Sequence, residues 1–459
     1  MVAGGWLIAG FVQAYAGENA ADVIARLHAE ALVHSPAYDD LRHLTSTHPG
    51  RLAGSSALQG AVDWAAQRLQ ETGAERVRRQ PVTVPHWERG APESFFLLPP
   101  EGSDGAAEPL RGLALGWSVA TPPDGLKAPL VEVSSLDALR ALPDDAVRGR
   151  IVFFNRAMPA GVFTPGEAYR ATGDQRNRGP ALAAQRGAVG ALVRSLTQEI
   201  DDVPHTGHTA FAPDQPKIPA GSLSTAAAER LSAALRARPD TQVEMRIHAR
   251  WVGEARSYNV IGEIPGKDFP DRILLVGAHL DSWDVSPGAH DDGAGVVQAI
   301  EVIRLFRVLG IQPRHTLRCV LFTAEENSLA GGREYARVAR EKREQHVFAI
   351  ETDGGGFQPR GFELGHTSRL PHEQAARWRP LLEPYGLYHF SKGGGGADVA
   401  PLMMQGAVVA DLLPVSQRYF DYHHTPVDTL EQVNPRELKL GAAAIAALIY
   451  LVDTEGLEP

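Results

Sequence analysis

From Tyr258 to the C-terminus, short, mostly apolar runs alternate with longer amphipathic ones. RILLVGAH (272–279), TLRCVLFTAEE (316–326), HVFAIETD (346–353) and AVVADLL (407–413) have strand length and are rich in β-branched and aromatic side chains, as in strands covered on both faces. GVVQAIEVIRLFRVLG (295–310) has helical length and ends at Gly310, and PRELKLGAAAIAALIYLVD (435–453) opens on a proline, as helices often do. This alternation predicts an α/β fold with a mainly parallel mixed sheet flanked by helices, whose ligand sites lie at the carboxyl ends of the strands.

Upstream the pattern differs. ALQGAVDWAAQRLQET (57–72) is helix-periodic and stops at Gly73, and a polar, β-prone stretch runs through VPHWERG (84–90). From about 106 to 250 the chain turns to short β-rich segments such as RGRIVFFN (148–155) and GAVGALVRS (187–195), punctuated by Gly and Pro. The expected organisation is an N-terminal part of the main domain over 17–105, an inserted β-rich domain over 106–250 and the main α/β domain over 251–459.

Composition restricts the chemistry. A chain of 459 residues with 44% hydrophobic and 22% charged side chains is globular, and its formal charge of −10 disfavours nucleic acid or an anionic membrane as partner. The single cysteine, Cys319, excludes an intrachain disulfide framework and a CxxC zinc site, so any metal must be held by His, Asp and Glu. The apolar run WLIAGFVQAYA ends in Ala14-Tyr15-Ala16, the shape of a signal-peptidase site; this predicts a signal peptide over 1–16 and a secreted or periplasmic protein, although no Lys or Arg precedes Arg26. Neither this run nor 441–452 is long enough to span a bilayer.

The acidic residues follow the strand ends. His279 and Asp281 close the first run, Glu325 and Glu326 the second and Asp353 the third, while Asp291 lies in the glycine-rich GAHDDGAG (288–295) and His423-His424 in a polar loop before the last helix. Singly each is an ordinary turn, cap or solvated residue; together they predict one metal-binding crevice. Asp291, Glu326 and Asp353 bring three negative charges together with two imidazoles. That count calls for two cations, one carboxylate bridging them. Imidazole and carboxylate without thiolate favour zinc, with cobalt or manganese as substitutes. Asp281 is expected to accept a hydrogen bond from the His279 imidazole and fix its orientation.

GAHLDSWD (277–284), GAHDDGAG, FTAEEN (322–327), ETDGG (351–355) and YHHTPVDT (422–429) resemble the successive metal-binding signatures of the M28 zinc peptidases. Similar text continues through PHWERG, the TPP of 121–123, GALVRS, PHTG (204–207) and KIPA, so the resemblance covers the chain from about residue 37. It implies a zinc aminopeptidase-like fold and identifies the 106–250 insert with a protease-associated domain. It implies His279, Asp291, Glu326, Asp353 and His424 as metal ligands, Asp291 rather than Asp292 as the bridge, and His424 rather than His423 as the ligand histidine. Asp353 is expected with His279, and Glu326 with His424.

The resemblance also implies Glu325 as general base to a metal-bridging hydroxide, short peptides with free ends, such as dipeptides, as substrates of a carboxypeptidase or dipeptidase, and a homodimer. His423 is read as an oxyanion donor. Two rivals on the same fold are a one-zinc glutaminyl cyclase-like acyltransferase and a receptor without activity; the full set of ligands and the base glutamate disfavours both. His290 is read as an outer donor or a solvated loop residue, Asp398 as shaping the pocket or capping a helix, and His205 and His208 as mainly structural.

Overall fold

The computed structural model describes residues 19–212 and 214–457, so the run expected as a signal peptide lies outside the described residues. Among these, one eight-stranded sheet has the spatial order Glu75–Glu88, Arg250–Ile264, His315–Phe322, Phe269–His279, Gln345–Glu351, Val408–Pro414, Pro359–Gly365, His389–Lys392. Its four central strands, from His315–Phe322 to Val408–Pro414, run parallel, and antiparallel neighbours flank them.

Alternation along these strands decides what each face covers. Leu274, Val276 and Ala278 pack on helices Ala294–Val308 and Pro435–Glu455, whereas Ile273 and Leu275 face Tyr335, Ala336 and Ala339 of helix Ala330–Lys342 on the other side. Burial on both faces is why the central strands read as mainly apolar runs, with Arg318 of His315–Phe322 admitted because it is paired with Glu263 and Glu344. The closing helix starts at Pro435 as expected, with Asn434 capping it by accepting from the Arg436 and Glu437 N–H groups.

Two boundaries differ from the sequence reading in a way that matters for the site. The strand in TLRCVLFTAEE ends at Phe322, Ala324 turns left-handed (φ 59°), and Glu325 and Glu326 open the short helix Glu325–Ser328. Likewise HVFAIETD leaves the sheet after Glu351, so Asp353 stands clear of it. The carboxylates therefore project from turns above the sheet edge.

A second eight-stranded sheet contains Leu126–Val133, Ile151–Phe154, Gly190–Arg194 and Ala220–Leu223 as parallel neighbours. Its strands run from Ser94–Leu97 to Gln242–Arg246, so one of them lies before residue 106. The paired strands Glu75–Glu88 and Arg250–Ile264 carry the chain into and out of it, with Glu88 opposite Arg250. No helix among the described residues is long and apolar enough to cross a membrane.

Candidate metal centre

Three adjacent parallel strands deliver the site. His279 is the last residue of its strand and pairs in register with Phe322, so the turns after both strands open side by side, with Asp353 above the third. His279 Nε2 lies 3.2 Å from Asp291 Oδ1 and 3.4 Å from Asp353 Oδ1. On the other side, His424 Nε2 lies 3.4 Å from Asp291 Oδ2 and 3.1 Å from Glu326 Oε2. Asp291 thus presents one oxygen to each half of the cluster.

The backbone around these groups is heavily constrained. His424 adopts φ 63°, a conformation that costs a non-glycine residue about 1–3 kcal/mol and persists only where its surroundings enforce it. Asp428, from the same loop, accepts from the N–H groups of His290 (2.7 Å) and Asp291 (3.1 Å) and so clamps the metal loop from outside. Asp292 has both oxygens engaged by backbone, one with His279 N (3.0 Å) and the other with Gly295 N (3.0 Å), which ties the first turn of helix Ala294–Val308 to the end of the His279 strand.

Asp281 departs from its expected role. The nearer acceptor for His279 Nδ1–H is the Asp281 backbone carbonyl at 3.1 Å, with the carboxylate at 3.5 Å. The carboxylate instead accepts from Glu325 N (3.0 Å) and Glu326 N (3.2 Å), so Asp281 holds the glutamate turn in place.

The electrostatics ask for a cation. Burial, which disfavours the charged form, pushes the carboxyls of Glu325 and Glu326 well above their usual range, and neighbouring carboxylates add to it. Burial likewise lowers His424 well below the ordinary imidazole value, leaving a neutral nitrogen suited to ligation. For His279, burial works in the same direction, but Asp353, Asp281 and Asp291 outweigh it and raise its pKa well above normal. Asp291 Oδ2, Glu326 Oε1 and Asp353 Oδ1 are buried without a hydrogen bond. Donors that converge in this state fit a metal, and His279, Asp291 and Glu326 offer ligand atoms within 4.8 Å of one another.

The cluster opens into a cavity of about 1210 Å³ whose other walls include Trp117, Tyr169, Arg176 and His208 from the second sheet's layer. His423 lines it too; its ring stacks on His424 at 3.5 Å and its Nε2 lies 3.7 Å from Asp291 Oδ2, farther than that of His424.

The chain as a whole is similar to known proteins. A family profile, Peptidase family M28, matches residues 259–449. Carboxypeptidase Q of Bos taurus is 34% identical over 425 residues, covering 92% of this chain and 86% of that protein. The chain belongs to peptidase family M28. The crystal structure of an M28 peptidase precursor from Shewanella amazonensis matches with a TM-score of 0.90 at 35% identity, over 96% of this chain and 98% of that one. A zinc aminopeptidase from Bacillus subtilis, with a TM-score of 0.65 at 20% identity over 91% of this chain and 95% of that one, shares the fold.

Other residues of this M28 peptidase find different places from those the sequence suggested. His290 is buried against the rings of Phe357 (4.2 Å) and Tyr422 (5.2 Å), its Nδ1 accepting from Gly356 N at 3.1 Å, so it is neither solvated nor turned to the metal cluster. Asp398 accepts from Gly332 N (3.0 Å) in the first turn of helix Ala330–Lys342, a helix other than the one it precedes.

Arg51 escaped sequence reasoning. Fully buried, it donates to the carbonyls of Leu280 (2.9 Å), Pro287 (2.6 Å) and Gly288 (3.0 Å), tying together the two ends of the loop between His279 and Asp291 from more than two hundred residues upstream. Replacing Arg51 by Leu would strand these carbonyls, at about 1–3 kcal/mol each. The expected outcome is a stability loss of about 3 kcal/mol or more, measured as a lower urea midpoint.

Proposed function

We propose that this M28 peptidase is an exopeptidase carrying two zinc ions that hydrolyses short peptides, dipeptides with free ends among them, with Glu325 as general base. The span of Asp291 carries the reading: one carboxylate, with Oδ1 3.2 Å from His279 and Oδ2 3.4 Å from His424, is suited to bridging two ions. His279 and Asp353 would complete one set of ligands, and His424 and Glu326 the other. Zinc suits a donor set of imidazoles and carboxylates, with cobalt or manganese as substitutes. When bound, the two ions lower the pKa of water and polarise the scissile carbonyl.

The chain's own groups do the rest. Glu325, half-buried beside the cluster, takes the proton from the attacking water and returns it to the leaving amine nitrogen. Its burial raises its pKa toward the range in which a carboxyl both accepts and donates protons. Asp281 positions Glu325 by accepting from its backbone N–H. His423, kept neutral by burial and then by the nearby Arg176, can offer an N–H to the developing oxyanion. The walls from the second sheet, which we identify with a protease-associated domain, leave room for a short peptide. Export directed by residues 1–16 and assembly as a homodimer belong to the same reading.

Incubation with a dipeptide library, followed by mass spectrometry, tests the proposal. Free amino acids should form, should disappear with a chelator and should return on adding zinc. Pyroglutamyl products alone would instead indicate a cyclase, and an unchanged library a receptor.

A further inference from the structure

The PHTGH segment, which carries two histidines outside the ligand set, lies in the loop between strands Gly190–Arg194 and Ala220–Leu223 of the second sheet. Its His205 is buried, 2% exposed, and its Nδ1 lies 2.9 Å from the backbone carbonyl of His423. A carbonyl can only accept, so Nδ1 carries the hydrogen and donates it. The next residue continues the contact: Thr206 N donates to the His424 carbonyl (2.9 Å), and His424 Nδ1 lies 3.4 Å from the Thr206 carbonyl. That last contact leaves Nε2 of His424 facing Glu326 and Asp291.

His424 needs such support, since its φ of 63° is unfavourable for a side chain with a Cβ. The PHTGH loop is itself braced: Gly116 N donates to the Gly207 carbonyl (2.9 Å), and Thr209 N to the Gly116 carbonyl (3.1 Å). Gly116 packs so closely on Trp283, whose ring is 5.6 Å from that of His424, that a Cβ there would lie 2.2 Å from the indole. The neighbouring Trp117 donates from Nε1 to the Asn327 carbonyl (3.2 Å), one residue beyond Glu326. The second sheet's layer thus grips the segments carrying His424 and Glu326. His279 ends a central strand of the first sheet and Asp353 follows the end of another; the second layer reaches the loop after His279 at Asp284, which accepts from Arg89 (2.7 Å), five residues from the ligand rather than at its own backbone.

We infer that His205 is a positioning residue for one metal position only: through its Nδ1–H bond to the His423 carbonyl it holds the His424 imidazole in its ligating orientation, so that the His424–Glu326 position depends on the second sheet's layer and the His279–Asp353 position does not. The inference rests on the two-ion reading above. Partners that orient a ligating histidine typically change metal affinity 10–100-fold when removed.

The test compares wild type with His205→Leu, His205→Asn and His205→Gln in the full chain, measuring zinc per chain by elemental analysis after dialysis against graded chelator, with circular dichroism as the check on folding. The Asn amide can replace the Nδ1–H donor, whereas the longer Gln places its amide nearer the Nε2 position. Wild type and His205→Asn should keep two zincs at a chelator concentration where His205→Leu and His205→Gln keep one, a shift of about 10–100-fold for the second ion. If His205→Leu does not fold, the Asn and Gln pair decides the question. Equal retention by Asn and Gln, or loss of both ions together, overturns the inference. A wild type that binds a single zinc would overturn the two-ion reading instead.

Discussion

Glu325→Gln should abolish most turnover while leaving metal binding intact. The side chain is not among the proposed ligands, and the substitution keeps its size while removing its capacity to take a proton. The turn that carries it is held through the backbone, because Asp281 accepts from Glu325 N and Glu326 N, and that support survives the change. The expected loss is about 10²–10⁴-fold in kcat, the range for a general acid–base group. Near-normal turnover by a protein with its full complement of metal would refute the assignment.

Replacing the two neighbouring aspartates should separate metal binding from folding. Asp291→Ala removes the carboxylate that faces both His279 and His424, so elemental analysis should find bound zinc sharply reduced while the protein stays folded. Asp292→Ala removes no proposed ligand but orphans the buried N–H groups of His279 and Gly295. At about 1–3 kcal/mol for each unsatisfied donor, its main effect should be a stability loss of roughly 2–6 kcal/mol, read from a urea titration. Greater zinc loss at unchanged stability from Asp292→Ala would mean that the bridge is Asp292.

Much of the site was legible from local pattern. A strand buried on both faces is mostly apolar, so a cluster of His, Asp or Glu at its end marks the region where the chain leaves the sheet. This is why His279, Glu326 and Asp353 stood out in the sequence. Their convergence followed from topology, since adjacent parallel strands open their carboxyl ends on the same edge. Choosing Asp291, His424 and, within the glutamate pair, Glu326 needed the resemblance to M28 peptidases, because each residue has an identical neighbour and no local rule separates the two.

The sequence by itself determined the alternation of strands and helices, the dry faces of Leu274 and Ile273, and the candidate donors, because these depend on periodicity within one element. Tertiary structure alone decided that Asp281 holds the glutamate turn, that Arg51 ties the two ends of the loop between His279 and Asp291, that His290 packs against Phe357 and Tyr422, and that His205 reaches the His423 carbonyl. The physical reason is that a loop's backbone groups can be satisfied by any donor or acceptor that packing brings near. For His423 and His424 those partners come from 218 residues away, a distance over which sequence spacing carries no geometry.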